Sequence, residues 1–236
     1  MRKIFFYSMV ALCALMVSCS KPVQETEGKL IISKPASHKQ ISALQTASSL
    51  AVLGFETQSP TALLEAANIF MSNPTKSMNA ESAILNEVDE ELRKTIKISF
   101  EPADLIAAAK EYADGDEVIE TMISRAETKL AMLGGNAGVR GCATGSEYLT
   151  TTIKAGGVDV YELPFTANQF AEIAVMGSCY SDLDLYVYDE NDNLVVSDCV
   201  YTDNCYVCFT PSKAVTYKVK VINRDSVINM YAIAVN

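Results

Sequence analysis

Histidine and tryptophan are almost missing from this chain of 236 residues, which has one histidine, His38, and no tryptophan. A metal site built from several histidines is therefore excluded, and a histidine-dependent hydrolase would have to recruit His38, which lies far in sequence from any plausible nucleophile. A pair of carboxylates can catalyse glycoside hydrolysis without histidine, but such enzymes usually need a larger cleft in which tryptophan side chains contact the sugar. We expect no catalytic residues, a protein that is not an enzyme, and an exposed His38 at the start of a helix.

Basic residues are also few, with 19 Lys and Arg against 29 Asp and Glu, a formal net charge of −10. Without residues 1–18 the balance is 17 against 29, or −12. Nucleic acid is therefore not an expected partner. The G-x-S-x-G, H-E-x-x-H, P-loop and G-x-G-x-x-G signatures are all missing from the sequence.

The N-terminus begins with a short apolar run, IFFYSMVALCALM, preceded by Arg2 and Lys3, and this arrangement is typical of a secretory signal. The MVSC that follows resembles the lipobox of bacterial lipoproteins, whose cysteine is acylated. The resemblance implies a signal peptide over 1–18, lipidation of Cys19 and a lipidated tether over 19–36; an ordinary secretory signal is the alternative. The expected location is the cell envelope, on the outer membrane of a Gram-negative bacterium, where acyl chains anchor the protein.

Five cysteines follow Cys19 in the sequence, and in an oxidising compartment they could form disulfides. Because the number is odd, one thiol would be left unpaired. Cys199 and Cys205 flank VYTDN and are predicted to form a disulfide across a hairpin. The connectivity of Cys142, Cys179 and Cys208 is open. CYVC is a C-x-x-C, but no second such motif or nearby histidine completes a tetrahedral set, so no transition-metal site is expected.

Apolar residues recur every three or four positions between residues 37 and 134, which predicts a helical domain packed as a bundle. Five helices are expected: from Ser37 to before Gly54, from Pro60 (capped by Ser59) to Asn73, from Ala80 to Thr95, from Pro102 to Asp114, and from Asp116 to Leu133. The glycine-rich segment GGNAGVRGCATG then predicts a linker over 135–147.

After the linker the apolar period changes to two. Eight short runs rich in β-branched and aromatic residues, separated by Gly, Pro, Asn and Asp, predict an antiparallel β-sandwich over 148–236. Lys218 and Lys220 alternate with Tyr217, Val219 and Val221, which predicts one wet and one dry face. The fold class is therefore α+β in two domains, a helical bundle followed by a sandwich.

Four ordered blocks, DLDLYVYDENDNLVVSD, CYVCFTP, TYKVKVIN and NMYAIAVN, resemble the bacterial pre-peptidase C-terminal domain. The resemblance covers residues 148–236. It implies a jelly-roll-like sandwich acting as an accessory module, with some members binding carbohydrate or fibrous protein, and it implies no catalytic residue. No protease domain precedes the module here, so a role in steering a peptidase is not expected.

Acidic residues are concentrated in residues 179–205, which hold seven acids and no Lys or Arg. Calcium would relieve their repulsion. An EF-hand is excluded, because Leu194 stands where a glycine and Val200 where a glutamate is needed. Two interpretations stay open: DENDN is a hairpin turn alone, or it accompanies a calcium site at Asp182, Asp184 and Asp198.

Tyrosines form a second candidate site on the same hairpins, namely Tyr186, Tyr188, Tyr201 and Tyr206. Exposed together they could bind sugar rings or a protein; otherwise they cover the sandwich edges. We therefore expect a lipid-anchored, non-catalytic binding or adhesion module for glycan or protein. The alternatives are a structural partner of an envelope assembly docking through the helical domain, or a hydrolase accessory subunit.

Overall fold

The computed structural model describes residues 36–78, 83–85, 88–134, 146–178 and 181–236. The signal peptide, Cys19, most of the tether, Cys142, Cys179 and nearly all of the linker lie outside these described residues. In the part of the chain that is described, none of the helices has the length and apolar character needed to cross a bilayer.

Four of the five predicted helices are confirmed. The helices are α1 (Ala36–Thr57), α2 (Pro60–Ser72), α3 (Glu90–Arg93), α4 (Pro102–Glu111) and α5 (Glu117–Met132). The Ser59 hydroxyl accepts a hydrogen bond from the Ala62 backbone N–H at 3.3 Å, and Asp116 caps α5 in the same way. Such caps satisfy backbone donors that have no partner inside the helix.

Gly54 does not end α1, contrary to the prediction, because the helix continues to Thr57. A Cβ atom at position 54 would lie 2.6 Å from Cγ of Leu63. The glycine therefore permits the close approach of α1 and α2 rather than breaking the first helix.

The predicted helix from Ala80 to Thr95 is wrong. Among the residues of this range that the structure describes, only the four-residue α3 is helical, and short strands β1 (Lys76–Ser77) and β2 (Ala83–Ile84) precede it. Strand β1 pairs in parallel with Glu147 and Tyr148, and β2 pairs antiparallel with Val160 and Tyr161. Pairing with these distant strands provides hydrogen-bond partners for the backbone N–H and C=O groups that a local helix would otherwise pair. Tertiary context of this kind overrides the local helix propensity.

The predicted β-sandwich is confirmed, with all eight expected strands. They are β3 (Glu147–Ile153), β4 (Val158–Phe165), β5 (Ala171–Gly177), β6 (Leu183–Tyr188), β7 (Leu194–Asp198), β8 (Asn204–Phe209), β9 (Val215–Asn223) and β10 (Asn229–Val235). The first sheet has the order β1-β3-β10-β5-β8 and the second sheet β2-β4-β9-β6-β7. Without the two short strands this is the strand order of a jelly roll.

The inner faces of the two sheets share one apolar core, which includes Ile173, Leu185 and Val219. A second core joins the helices to the outer face of the first sheet, where α1 contacts β5 and β10. The predicted division into two domains is not confirmed, because Ala174 and Ala232 belong to the helical core and the described residues form one compact unit. Strand β5 is buried on both faces for the same reason.

Helix α5 lies at the outside of the helical layer and contacts α2 and α4. Of the six apolar residues predicted to form its buried stripe, only Ile123 is buried, whereas Met122 and Leu133 are exposed. Ile119, Ala126 and Leu130 are partly buried and pack against the helical core, so the predicted stripe is confirmed for four of its six residues. An amphipathic pattern identifies the helix but does not indicate how much of its apolar face other elements will cover.

Candidate functional site

The outer face of the second sheet carries the candidate site. Leu183, Leu185 and Val187 of β6 point into the sandwich and are fully buried. Because side chains alternate along a strand, Tyr186 and Tyr188 point outward, where both are half-buried. On the neighbouring strand β9, Lys218 and Lys220 occupy the outer face between buried tyrosine and valine residues, which confirms the predicted wet and dry faces.

The two outward tyrosines form an ordered pair. Their ring centroids are 6.3 Å apart and the rings are inclined by 23°, so the rings are nearly parallel. The Lys220 ammonium lies 4.9 Å from the centroid of Tyr188. A cation at this distance is attracted by the negative face of the ring.

Arg224 fixes one end of the tyrosine pair. Its Nε donates to Oδ2 of Asp184 at 2.6 Å and its Nη2 donates to the Tyr186 hydroxyl at 3.3 Å, while that hydroxyl donates to Asp184 at 3.0 Å. A hydrogen bond with Cys199, together with burial, raises the pKa of Tyr186, and the hydrogen bond to Asp184 raises the pKa of Arg224. Tyr186 is therefore neutral and Arg224 charged at physiological pH.

The segment DENDN forms the hairpin turn between β6 and β7, which both interpretations of the sequence predicted. Oδ1 of Asp189 accepts from the backbone N–H groups of Asn191 and Asn193, both at 2.9 Å. Hydrogen bonds from Asn193 lower the pKa of Asp189. Asp192 has φ +60°, the left-handed conformation in which glycine would be easier, and its carboxylate pairs with Lys218.

The three acids predicted as calcium ligands do not converge. Asp198 pairs with Leu185 across the β6–β7 ladder, so its side chain lies on the inner side of the sheet, whereas Asp184 lies on the outer side. Asp198 accepts from the backbone N–H of Tyr206 at 2.9 Å, and Asp184 is paired with Arg224. Among the described residues, no three His, Cys, Asp or Glu side chains are grouped to hold a metal ion.

Asp182 retains one unusual feature. Its Oδ1 is buried and has no hydrogen-bond partner among the described residues. Burial, followed by repulsion from Asp184, raises the pKa of Asp182, while Arg224 opposes this rise. The Arg224 guanidinium therefore supplies the positive charge that the sequence had suggested a calcium ion would supply.

The four candidate tyrosines are not brought together. Tyr201 lies in the loop after β7 with 81% of its surface exposed. Tyr206 belongs to the first sheet, where its hydroxyl donates to Oε1 of Glu172 at 2.5 Å beneath α1. Only Tyr186 and Tyr188 share a surface, so the predicted four-tyrosine face is wrong for Tyr206.

A buried polar cluster at Glu172 was not predicted. His38 in the first turn of α1 places its Nδ1 atom 2.5 Å from Oε1 of Glu172, and Asn236 donates to Oε2 at 3.1 Å. The Glu172 side chain has no exposed surface and the His38 side chain is 21% exposed, so the expected exposed histidine is wrong. The available signal was the single acid within the apolar strand FAEIAVMG.

The predicted Cys199–Cys205 disulfide is not formed in the structure. The Cys205 thiol is buried and lies 3.0 Å from the backbone carbonyl of Leu183, to which it donates. Burial and the acids around it, Asp198 first, raise the pKa of Cys205. Cys208, by contrast, is exposed on β8.

Comparison with known proteins assigns no family: neither a family model nor a curated protein matches the chain. Among solved structures, the pre-peptidase C-terminal domain of a collagenase from Bacillus anthracis is 17% identical, with a TM-score of 0.35 over 39% of this chain and 89% of that one. A periplasmic inhibitor of g-type lysozyme from Aeromonas hydrophila is 13% identical, with a TM-score of 0.33 over 42% and 91%. A carbohydrate-binding module of a Cellvibrio mixtus lichenase is 11% identical, with a TM-score of 0.25 over 39% and 87%. Likenesses at these scores do not place the chain in a family.

Proposed function

We propose that the protein is a lipid-anchored, non-catalytic binding module of the cell envelope that contacts a glycan through the outer face of its second sheet. The observation that carries the proposal is the pair of nearly parallel rings of Tyr186 and Tyr188, held on a rigid strand. Aromatic rings offer apolar surface at low conformational cost, and a sugar ring can lie against such a surface. Two adjacent rings would accommodate neighbouring sugar units.

Polar groups beside the rings supply the directional contacts that a glycan needs. Arg224, whose side chain is 47% exposed, and Lys220 can donate to hydroxyl groups, and Asp184 can accept. Binding sites commonly combine an apolar surface with a few fixed polar groups of this kind. A surface of two aromatic rings surrounded by charged groups fits a glycan better than it fits a folded protein, whose interfaces have a more apolar centre.

Binding of the chain from Ser20 onward to a glycan array tests the proposal. Tyr186→Ala and Tyr188→Ala are expected to abolish binding, whereas Tyr201→Ala, a matched change at an exposed tyrosine outside the pair, is expected to leave it unchanged. Tyr186→Phe keeps the ring but removes the hydroxyl that contacts Arg224, so it separates stacking from hydrogen bonding. Wild-type protein that binds no glycan of a broad array would contradict the proposal.

Membrane attachment is a separate part of the proposal and rests on the lipobox-like MVSC sequence. Cells fed labelled palmitate are expected to label the wild-type protein and not the Cys19→Ala variant. Label that persists in this variant would contradict lipidation at Cys19.

A second candidate function, docking to an envelope assembly through the helices, is favoured by the exposed apolar residues of α5. Val118 and Met132 are 69% and 81% exposed, and a groove of about 230 Å³ lies between α2 and α5 beside Met122. Crosslinking in cells is expected to recover a partner that Met132→Lys loses and Met132→Leu retains. Recovery of the same partner with both variants would exclude this surface.

A further inference from the structure

Three of the four sheet edges in the described residues are protected against pairing with another chain. Edge strands β1 and β2 have only two residues each. At the third edge, β8, the Tyr206 backbone N–H is already taken by the Asp198 carboxylate at 2.9 Å. Short strands and occupied backbone donors are two ways in which proteins prevent sheets from extending.

Strand β7 is the fourth edge, and with five residues it is longer than β1 and β2. It is the last strand of the second sheet, and among the described residues no further strand pairs with its outer side. The strand has neither lysine nor proline, and Leu194 and Val195 are 54% and 42% exposed. A bulge beside Val187 makes Val195 an extra residue in the ladder, which leaves two consecutive apolar side chains at the turn end of the strand.

The charge around β7 indicates the chemistry of a strand that would pair with it. The turn before β7 contains Asp189, Glu190 and Asp192, and residues 179–205 include no Lys or Arg. Lys213 reaches Glu190 only at 3.5 Å, and Asp192 stays 71% exposed although Lys218 contacts it. A second copy of the chain would bring the same acids to the interface, whereas a partner with basic ends would complement them.

We propose that β7 is a docking edge for an extended segment of another protein, apolar and β-branched in its middle and basic at its ends, which joins the second sheet as an added strand. The backbone of β7 on its outer side, where no described strand pairs with it, would supply affinity through main-chain hydrogen bonds, and Leu194 and Val195 would contact the side chains of the added segment. Leu194 lies directly across the ladder from Tyr188, so the edge adjoins the tyrosine pair. The proposal rests on the backbone of β7 and not on the rings, so it is a further activity of the protein and does not depend on glycan binding.

A synthetic peptide Lys-Val-Thr-Val-Thr-Val-Lys is the probe, titrated against the full chain by calorimetry. Binding is expected, and replacing both lysines by glutamate is expected to weaken it about tenfold or more. The same peptide with both hydrogen-bonding edges blocked by N-methylation is expected not to bind. Equal affinity of the N-methylated peptide, or no binding of the unmodified one, would overturn the proposal without any change to the protein.

Variants of the chain then locate the site. Val195→Lys places a lysine on the edge and is expected to abolish peptide binding, whereas Val227→Lys, the same change at an exposed valine outside β7, is expected to preserve it. Circular dichroism establishes that both variants fold. Peptide binding unchanged in Val195→Lys would overturn the assignment to β7, as would a concentration-dependent dimer in sedimentation that this variant abolishes, because the edge would then be occupied by a second copy.

Discussion

The Nδ1 atom of His38 lies 2.5 Å from Oε1 of Glu172, and this contact joins the first turn of α1 to strand β5 across 134 residues. The same oxygen accepts from the Tyr206 hydroxyl at 2.5 Å, and Asn236 occupies the other. Because the carboxylate has no exposed surface, these groups replace the water that an isolated glutamate would retain. The cluster therefore fixes the helical layer on the outer face of the first sheet.

Glu172→Ala is expected to lower the free energy of unfolding by about 2 to 4 kcal/mol, because it leaves His38, Tyr206 and Asn236 without their shared acceptor in a buried site. Urea unfolding followed by circular dichroism measures the change. Glu162→Ala, at an exposed position of β4, is the control and should change stability by less than about 0.5 kcal/mol. Equal losses in the two variants would show that the cluster contributes no net stability.

Gly54→Ala is expected to destabilise the protein by about 1 to 3 kcal/mol although alanine favours helix, because the added methyl group would overlap Leu63. Ser42→Ala, at an exposed position of α1, is the control. In a Leu63→Ala background the cost of Gly54→Ala should fall, and a double-mutant cycle of unfolding free energies measures that coupling. Additive effects would contradict the contact.

Local pattern was sufficient for the elements whose buried residues recur at a regular spacing. The stripe of Ile41 and Leu44 predicted α1, and alternation along β6 separated buried Leu185 from outward Tyr186. Pairings between distant residues were not predictable, since periodicity reports which face of an element is covered but not what covers it. For this reason Arg224, 40 residues from Asp184, was not recognised as its counter-ion, β1 was not predicted, and β2 was predicted to be part of a helix.

Glu101 makes the stability depend on pH. Burial, and then repulsion from Asp104, raises the pKa of Glu101 above its ordinary value. The folded protein therefore holds this proton more tightly than the unfolded chain, whose glutamate titrates at about pH 4.3. The resulting stabilisation is complete below that pH and is lost as the pH rises through the raised pKa of the folded state.

Glu101→Gln removes this dependence. The variant is expected to gain stability relative to wild type as the pH rises from about 4 to about 7, measured as urea midpoints across that range. Glu65→Gln, at an exposed position of α2, removes the same charge and serves as the control. A difference between Glu101→Gln and wild type that does not change with pH would contradict the raised pKa.

Calcium is expected to leave the melting temperature of the wild-type protein unchanged relative to an excess of chelator. The reason is that Arg224 already neutralises Asp184, and Asp198 lies on the other side of the sheet. Arg224→Gln removes the counter-charge, so calcium should raise the melting temperature of this variant more than that of wild type. A rise of several degrees in the wild-type protein would contradict this assignment and restore the calcium interpretation.

Cysteine alkylation distinguishes the thiols of the structure from the disulfide predicted by sequence. The thiolate is the reactive form, and the raised pKa of the buried Cys205 disfavours it, whereas Cys208 is exposed. Iodoacetamide is therefore expected to label Cys208 in the folded protein much faster than Cys205, and to label both after unfolding without reductant, with peptide mass spectrometry locating the label. A Cys205 that is labelled only after reduction would instead establish a disulfide, and the mass of its peptide would identify whether Cys199 is the partner.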